Sequence, residues 1–296
     1  GLFTEVEKDK KAYLPETQQW VKEIYHWAKK VDSSRLVEDN SPCNYDHVES
    51  DLNTWHFYIN GYEKLKDHIQ QVVEKSYEGS TFNYIEGNKQ ATNPLMNSEC
   101  GAVWGIEGSA GDSDIAWHYH YMINEFRKHD KLCGYVFTEF KDVINEFNGY
   151  YRIDNSDKGF GYEGFDREMT LKDLHSADFL VIDAPPCATV NSGEEVSVPI
   201  LASSFSPKYH GQKLKVKWSL WYDNLGEKKV TGSGEETVEW DGYGVRPLVN
   251  IAPSMPLYDA VAVFNVVLVD SESKIITRNF ITFDVQSRKA EGRYDM

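Results

Sequence analysis

Glu99 ends the run Pro94-Leu-Met-Asn-Ser-Glu99, and Gly101 then turns the chain. A carboxylate at the C-terminal end of a strand projects toward the loops of a β/α fold, where it can act as a nucleophile or move a proton. The competing use of such a residue is a solvated loop acid. Asn40, His56, Tyr58, Thr138 and Glu139 stand at the ends of three further runs of strand character, and Trp104 follows shortly after Gly101. Polar and aromatic groups on one rim suit a sugar, whose hydroxyls need donors and acceptors and whose faces stack on rings. Tyr58 and Trp104 are the rings available for stacking, although packing is the commoner use of each.

Other chemistries find weaker support. Cys43, Cys100, Cys133 and Cys187 form no Cys-x-x-Cys pair and have no histidine pair at zinc spacing, so isolated buried thiols are expected. His118 and His120 are two apart on a helical pattern and do not face each other, which argues against a shared metal. Gly159-Phe-Gly161-Tyr-Glu-Gly164 fits the dinucleotide-binding spacing. That spacing binds a cofactor only between a strand and a helix, and neither flank fits. No metal and no cofactor is expected.

The elements that must position these residues change character near residue 170. Before it, helical periodicity at 15–31, 62–76 and 114–129 alternates with strands at 35–40, 52–58, 94–99 and 132–140. In the first helix Trp20, Ile24, Trp27, Ala28 and Val31 make one apolar stripe that predicts a buried face. Strands alternating with helices call for a parallel sheet. After residue 170 seven strands are expected, at 178–183, 195–201, 213–222, 236–240, 246–251, 261–270 and 274–285. Short strands separated by turns suggest an immunoglobulin-like β-sandwich. Residues 1–170 are therefore one expected domain, 171–287 a second, and 288–296 a polar tail.

The whole chain has 296 residues, 47 of them acidic and 31 basic, for a net charge of -16. A chain so acidic, with no basic stripe, is a poor partner for nucleic acid, whose binders neutralise phosphates. No apolar run reaches the roughly 18 residues that cross a bilayer, so neither nucleic acid nor membrane is an expected partner. The 14% aromatic content excludes a mainly disordered chain.

At these residues the sequence resembles the family 2 glycoside hydrolases, which include β-galactosidases, β-glucuronidases and β-mannosidases. Asp32-Ser-Ser-Arg35-Leu-Val looks like the family's entry to strand five of its (β/α)8 TIM barrel. Asp51-Leu-Asn-Thr-Trp-His56-Phe-Tyr58 is similar to strand six. Pro94-Leu-Met-Asn-Ser-Glu99-Cys-Gly101 resembles strand seven, whose Glu is the nucleophile. Gly134-Tyr-Val-Phe-Thr-Glu139-Phe-Lys-Asp142 resembles strand eight. The departures are Thr138 in place of a Trp, Glu139 in place of Asn or Asp, and Cys100 in place of an aromatic residue. Asn155-Ser-Asp-Lys158 is one residue longer than the Asn-x-Lys motif with which glucuronidases bind a sugar carboxylate.

The resemblance implies an α/β region followed by an all-β one: strands five to eight of a barrel, then a sandwich. It implies a retaining exo-β-glycosidase of β-galactosidase type, with Glu99 as nucleophile and Asn40, His56, Tyr58, Trp104 and Glu139 binding the sugar or orienting Glu99. A β-glucuronidase or β-mannosidase is the alternative within the family. The acid/base Glu and the preceding strands are then expected upstream of Gly1, so the partners are a carbohydrate and the N-terminal part of the same enzyme, and a homo-oligomer is allowed. This piece alone is expected to be inactive. The compartment depends on whether a signal peptide lies upstream. The alternative from another class is a non-catalytic carbohydrate-binding or scaffold module using Trp218, Trp221 or Trp240.

Overall fold

The computed structural model describes residues 14–42, 45–101, 115–144 and 146–287. The chain divides into two compact units between Lys158 and Gly159. The division lies earlier than the change in composition near residue 170, because 159–177 pack on the second unit. Phe165 stacks on Phe280 with centroids 4.6 Å apart. Arg278 reaches Asp166, Glu168 and Asp173.

The first unit holds α1 (Pro15–Val31), β1 (Asn53–Tyr58), α2 (Tyr62–Lys75), β2 (Leu95–Gly101), α3 (Ile115–Phe126) and β3 (Leu132–Phe137). The strands form a parallel sheet in the order β1-β2-β3. Period-two alternation sends Trp55 and Phe57 to one face, where Phe126 meets both rings edge-on. Leu65, Ile69, Val72 and Val73 of α2 are buried, as are Tyr119, Met122, Ile123 and Phe126 of α3. His118 and His120 are buried in α3 as well.

Three expectations are corrected. The thiols are not all buried: Cys100 is, but Cys133 and Cys187 are exposed. Residues 35–40 do not form a strand, so the described sheet has three strands and not four. Side chains instead of a ladder take up much of that backbone: Asp51 Oδ2 accepts from Val37 N at 2.8 Å, Ser50 Oγ from Asp39 N at 3.4 Å, and Asp39 Oδ1 from Asn40 N at 2.9 Å. The apolar stripe of α1 is also not a buried face. Trp27 is 63% and Val31 68% exposed, Trp20 and Ile24 are exposed too, and the residue α1 buries is Val21, which packs with Val48 and Ile85. Helical periodicity reports which face is apolar; burial needs a second layer over it.

The second unit is a β-sandwich. Its strands are β4 (Asp178–Ile182), β5 (Cys187–Asn191), β6 (Val198–Ser204), β7 (Gln212–Asn224), β8 (Glu227–Trp240), β9 (Gly244–Ile251), β10 (Ala260–Val269) and β11 (Ile275–Gln286). The sheets run β5-β11-β10-β7-β8 and β4-β6-β9. Leu180, Val216, Leu220, Trp240, Phe264 and Phe283 belong to the core between them. β5 escapes a pattern reading because it is a short edge strand of mostly small and polar residues. β7 and β8 meet at Leu225-Gly226, both with positive φ, the two-residue turn that matches strand twist.

Candidate functional site

The sheet face away from α2 and α3 carries His56 and Tyr58 at the end of β1 and Glu99 at the end of β2. Strict alternation would send Ser98 and Glu99 to opposite faces. The register prevents this: Trp55 pairs with Asn97, and His56 then pairs with Glu99. Ser98 is the extra residue of a β-bulge, the device that re-aims side chains beside sites. As a result both residues reach the same imidazole. His56 Nε2 lies 3.1 Å from Ser98 Oγ, and His56 Nδ1 lies 3.4 Å from Glu99 Oε2.

The Tyr58 hydroxyl donates to Glu99 Oε1 at 2.7 Å. Burial and the adjacent Glu99 push the phenol well above its ordinary range, so Tyr58 keeps the proton it donates. Thr138, at the end of β3, hydrogen bonds to Tyr58 and so joins the cluster. Gly101 allows the close approach beside it. A Cβ there would come within 2.7 Å of Asn148 Nδ2 and 3.0 Å of Tyr58 Cε1. Glu99 keeps 33% of its side chain exposed against 7% for His56, so the carboxylate is held from behind and open in front. Burial holds His56 below the ordinary histidine range, against the opposing pull of Glu99 and Glu38, which leaves the imidazole neutral at neutral pH.

Of the remaining expected residues, Asn40 and Glu139 make no described hydrogen bond to this cluster. Asn40 Nδ2 donates to Asp39 Oδ1 at 3.3 Å and Asp46 O at 3.2 Å, so its amide serves its own segment. Its side chain lines a small pocket with Val21, Val48 and Ile85. Glu139 follows β3. Burial, with Glu146 and Asp142 nearby, pushes its carboxyl up, and its buried Oε1 has no hydrogen-bond partner among the described residues. Trp104 lies outside the described residues. Lys158 Nζ is 2.6 Å from Asp142 Oδ1 and 2.6 Å from Phe147 O, a clamp on the loop after β3. Gly159 and Gly161 lead into a single 3-10 turn, Tyr162–Gly164, and not into the long helix a phosphate loop requires.

Three residues absent from the expected set complete the cluster. Glu38 Oε1 accepts from Thr54 Oγ1 at 2.5 Å and from Ser98 Oγ at 2.9 Å. Ser41 Oγ lies 3.1 Å from His56 Nε2. Ser98 became findable only with the bulge, and Glu38 only once 35–40 was seen to fold back on β1 and β2. Among the described residues no group of three or more His, Cys, Asp and Glu could hold a metal ion.

No family model matches the chain, and no curated protein matches it. Among solved structures it is similar to a β-glucuronidase of Bacteroides uniformis, with 12% identity and TM-score 0.39 over 96% of this chain and 32% of that one. It is similar to a β-D-mannosidase of Dictyoglomus thermophilum, with 11% identity and TM-score 0.38 over 57% of this chain and 18% of that one. A third is an exo-chitosanase of Amycolatopsis orientalis, with 14% identity and TM-score 0.36 over 75% of this chain and 24% of that one. The chain thus spans about a third or less of each of these three proteins.

Proposed function

We propose that this chain carries the nucleophile of a retaining exo-β-glycosidase of β-galactosidase type, with β1 to β3 forming part of a (β/α)8 barrel. The observation that carries the reading is the placement of Glu99. It sits at the C-terminal end of the middle strand of a parallel sheet, one oxygen held by Tyr58, the other 3.4 Å from His56 Nδ1, with a third of the side chain exposed. The four motif segments support it from the sequence. In the reaction Glu99 Oε2 bonds to the anomeric carbon as the bond to the leaving oxygen breaks, and that oxygen takes a proton from a second carboxyl. Water then attacks the same carbon, the ester bond breaks, the carboxylate is restored and the water's proton returns to the second carboxyl. The reading assigns that second carboxyl to the chain upstream of Gly1. Tyr58 orients Glu99, and Thr138 orients Tyr58.

The alternative of a carbohydrate-binding module has less support, since of its three tryptophans Trp218 alone is partly exposed. Trp240 and Trp221 are buried, and the Trp218 indole covers Gly232 and Gly234.

The test is trapping with a 2-deoxy-2-fluoro glycoside bearing a leaving group that needs no protonation. The galacto, glucurono and manno forms are each used on the protein expressed with its sequence upstream of Gly1. The expected result is a covalent sugar on the peptide containing Glu99, absent in Glu99→Gln. A label on another carboxylate, or wild-type turnover by Glu99→Gln, overturns the assignment.

A further inference from the structure

We propose that Lys158 is a positioning residue: it fastens the loop after β3 so that Asn148 stays packed beside Tyr58, whose hydroxyl orients Glu99, and it does not receive the charge of an acidic sugar. The contacts form an unbroken path. Lys158 Nζ is 2.6 Å from Asp142 Oδ1 and donates to Phe147 O at 2.6 Å. The same Asp142 Oδ1 accepts from Gly149 N at 2.8 Å. Residues 147 and 149 are thus tied to one ion pair, and Asn148 is the residue between them. Position 149 must be glycine, because a Cβ there would come within 2.2 Å of the Asp142 backbone N. Asn148 is 4% exposed. Its amide and the Tyr58 ring flank the same point beside Gly101, where a Cβ would meet Asn148 Nδ2 at 2.7 Å and Tyr58 Cε1 at 3.0 Å. Tyr58 in turn donates to Glu99 Oε1 at 2.7 Å.

The ammonium is already committed. It has three protons, and two of them go to Asp142 and to Phe147 O within its own loop. The pair is largely buried, with 14% of the Lys158 side chain and 7% of the Asp142 side chain exposed. Drawing Lys158 away to a substrate would leave Asp142 as a buried charge without its partner, the costly way to break such a pair. Glu139 and Glu146 also stand near Asp142. An arriving carboxylate would meet three acids around one spent cation.

The consequence, resting on the glycosidase reading, is that Lys158 acts on the rate of attack and not on the choice of sugar. A loop that drifts by a fraction of an ångström loosens the packing beside Tyr58. The phenol then holds Glu99 less often in line with the anomeric carbon, and such misplacement slows chemistry from a distance.

The test repeats the 2-fluoro glycoside trapping on Lys158→Met, alone and combined with Tyr58→Phe. Asp142→Asn takes its place if Lys158→Met does not fold. Lys158→Met should slow trapping about tenfold, the size of one hydrogen bond, and by the same factor for every sugar that wild type accepts. Because the path runs through the phenol, the same change should alter the rate by less than about twofold once Tyr58 is Phe. An undiminished effect in the Tyr58→Phe background overturns the proposal. So does a loss confined to the glucurono reagent, which would make Lys158 a sugar-binding cation. A second readout needs no sugar. In protein labelled with ¹³Cζ-tyrosine, the Tyr58 signal, assigned by difference from Tyr58→Phe, should shift in Lys158→Met, and an unmoved signal overturns the clamp. A shifted signal in a protein that never traps sugar supports the clamp and overturns the glycosidase reading, so the two fail separately.

Discussion

The first unit holds two carboxylate–imidazole pairs, Asp39 with His47 and Glu99 with His56, and they are built to opposite ends. Asp39 and His47 are both 0% exposed and 2.6 Å apart. Asp39 accepts from three backbone N–H groups, of Asn40, Val48 and Glu49. Every side of that pair is occupied, and it has no face left for a ligand. Glu99 and His56 stand farther apart, and the carboxylate is one third exposed. The same functional groups therefore serve as a fold lock in one place and as an exposed reactive group in the other. What separates them is how completely the neighbours use up lone pairs and protons, not which residues are present.

The sharpest way to break this comparison is to remove each carboxylate and ask what is lost. Glu99→Gln should cost at least about 10⁴-fold in sugar trapping and turnover, which is about 5.5 kcal/mol of activation energy. Its unfolding free energy should stay within about 1 kcal/mol of wild type, since the carboxamide keeps the shape of a half-buried side chain and can still accept from Tyr58. Asp39→Ala should do the reverse to the fold and destabilise by about 3–5 kcal/mol in urea unfolding, because it strands a buried imidazole N–H and several backbone donors. If Glu99→Gln unfolds the protein, or Asp39→Ala leaves stability untouched, the two pairs do not differ in kind. Tyr58→Phe removes one hydrogen bond to the carboxylate, so trapping should slow by about 10- to 100-fold. Stability should change by less than about 1 kcal/mol, since the phenyl ring is retained.

How much of this was legible in the sequence follows from how local each signal is. Glu99, His56 and Tyr58 were found as strand ends, because Gly101 stops one run and alternating apolar residues mark the other. That much needs only period two and a turn signal. Ser98 was invisible, since alternation points it away from Glu99 and only a bulge in the pairing with β1 and β3 turns it back. Glu38 was hidden by a misread strand. Leu36 and Val37 look like strand residues, but Asp39 and Asp51 capture the backbone first. In the sandwich, seven strands were read because their apolar residues alternate, while β5, pinned to the edge of β11, had no such pattern. The exposed stripe of α1 shows the same limit: periodicity is local, and cover is not.

A third imidazole completes the comparison, because it is buried with no acid at all. His68 of α2 packs against the Phe57 ring with centroids 4.9 Å apart, and its buried Nε2 has no hydrogen-bond partner among the described residues. Burial alone pushes it down to about 4 from 6.5. The folded state therefore binds this proton less readily than the unfolded state. Above about pH 6.5 neither state is protonated and the site costs nothing. As pH falls from 6.5 toward 4 the unfolded state gains the proton first and the fold loses stability. Below about 4 the loss is complete and constant. Discounted for partial exposure, the total is on the order of 2 kcal/mol. His68→Leu removes the term while carboxylates elsewhere titrate equally in both proteins. The difference between the two urea-unfolding curves, measured from pH 7 to 4, should thus open steadily against wild type. A difference that stays flat across that range would mean that burial does not govern the titration of His68.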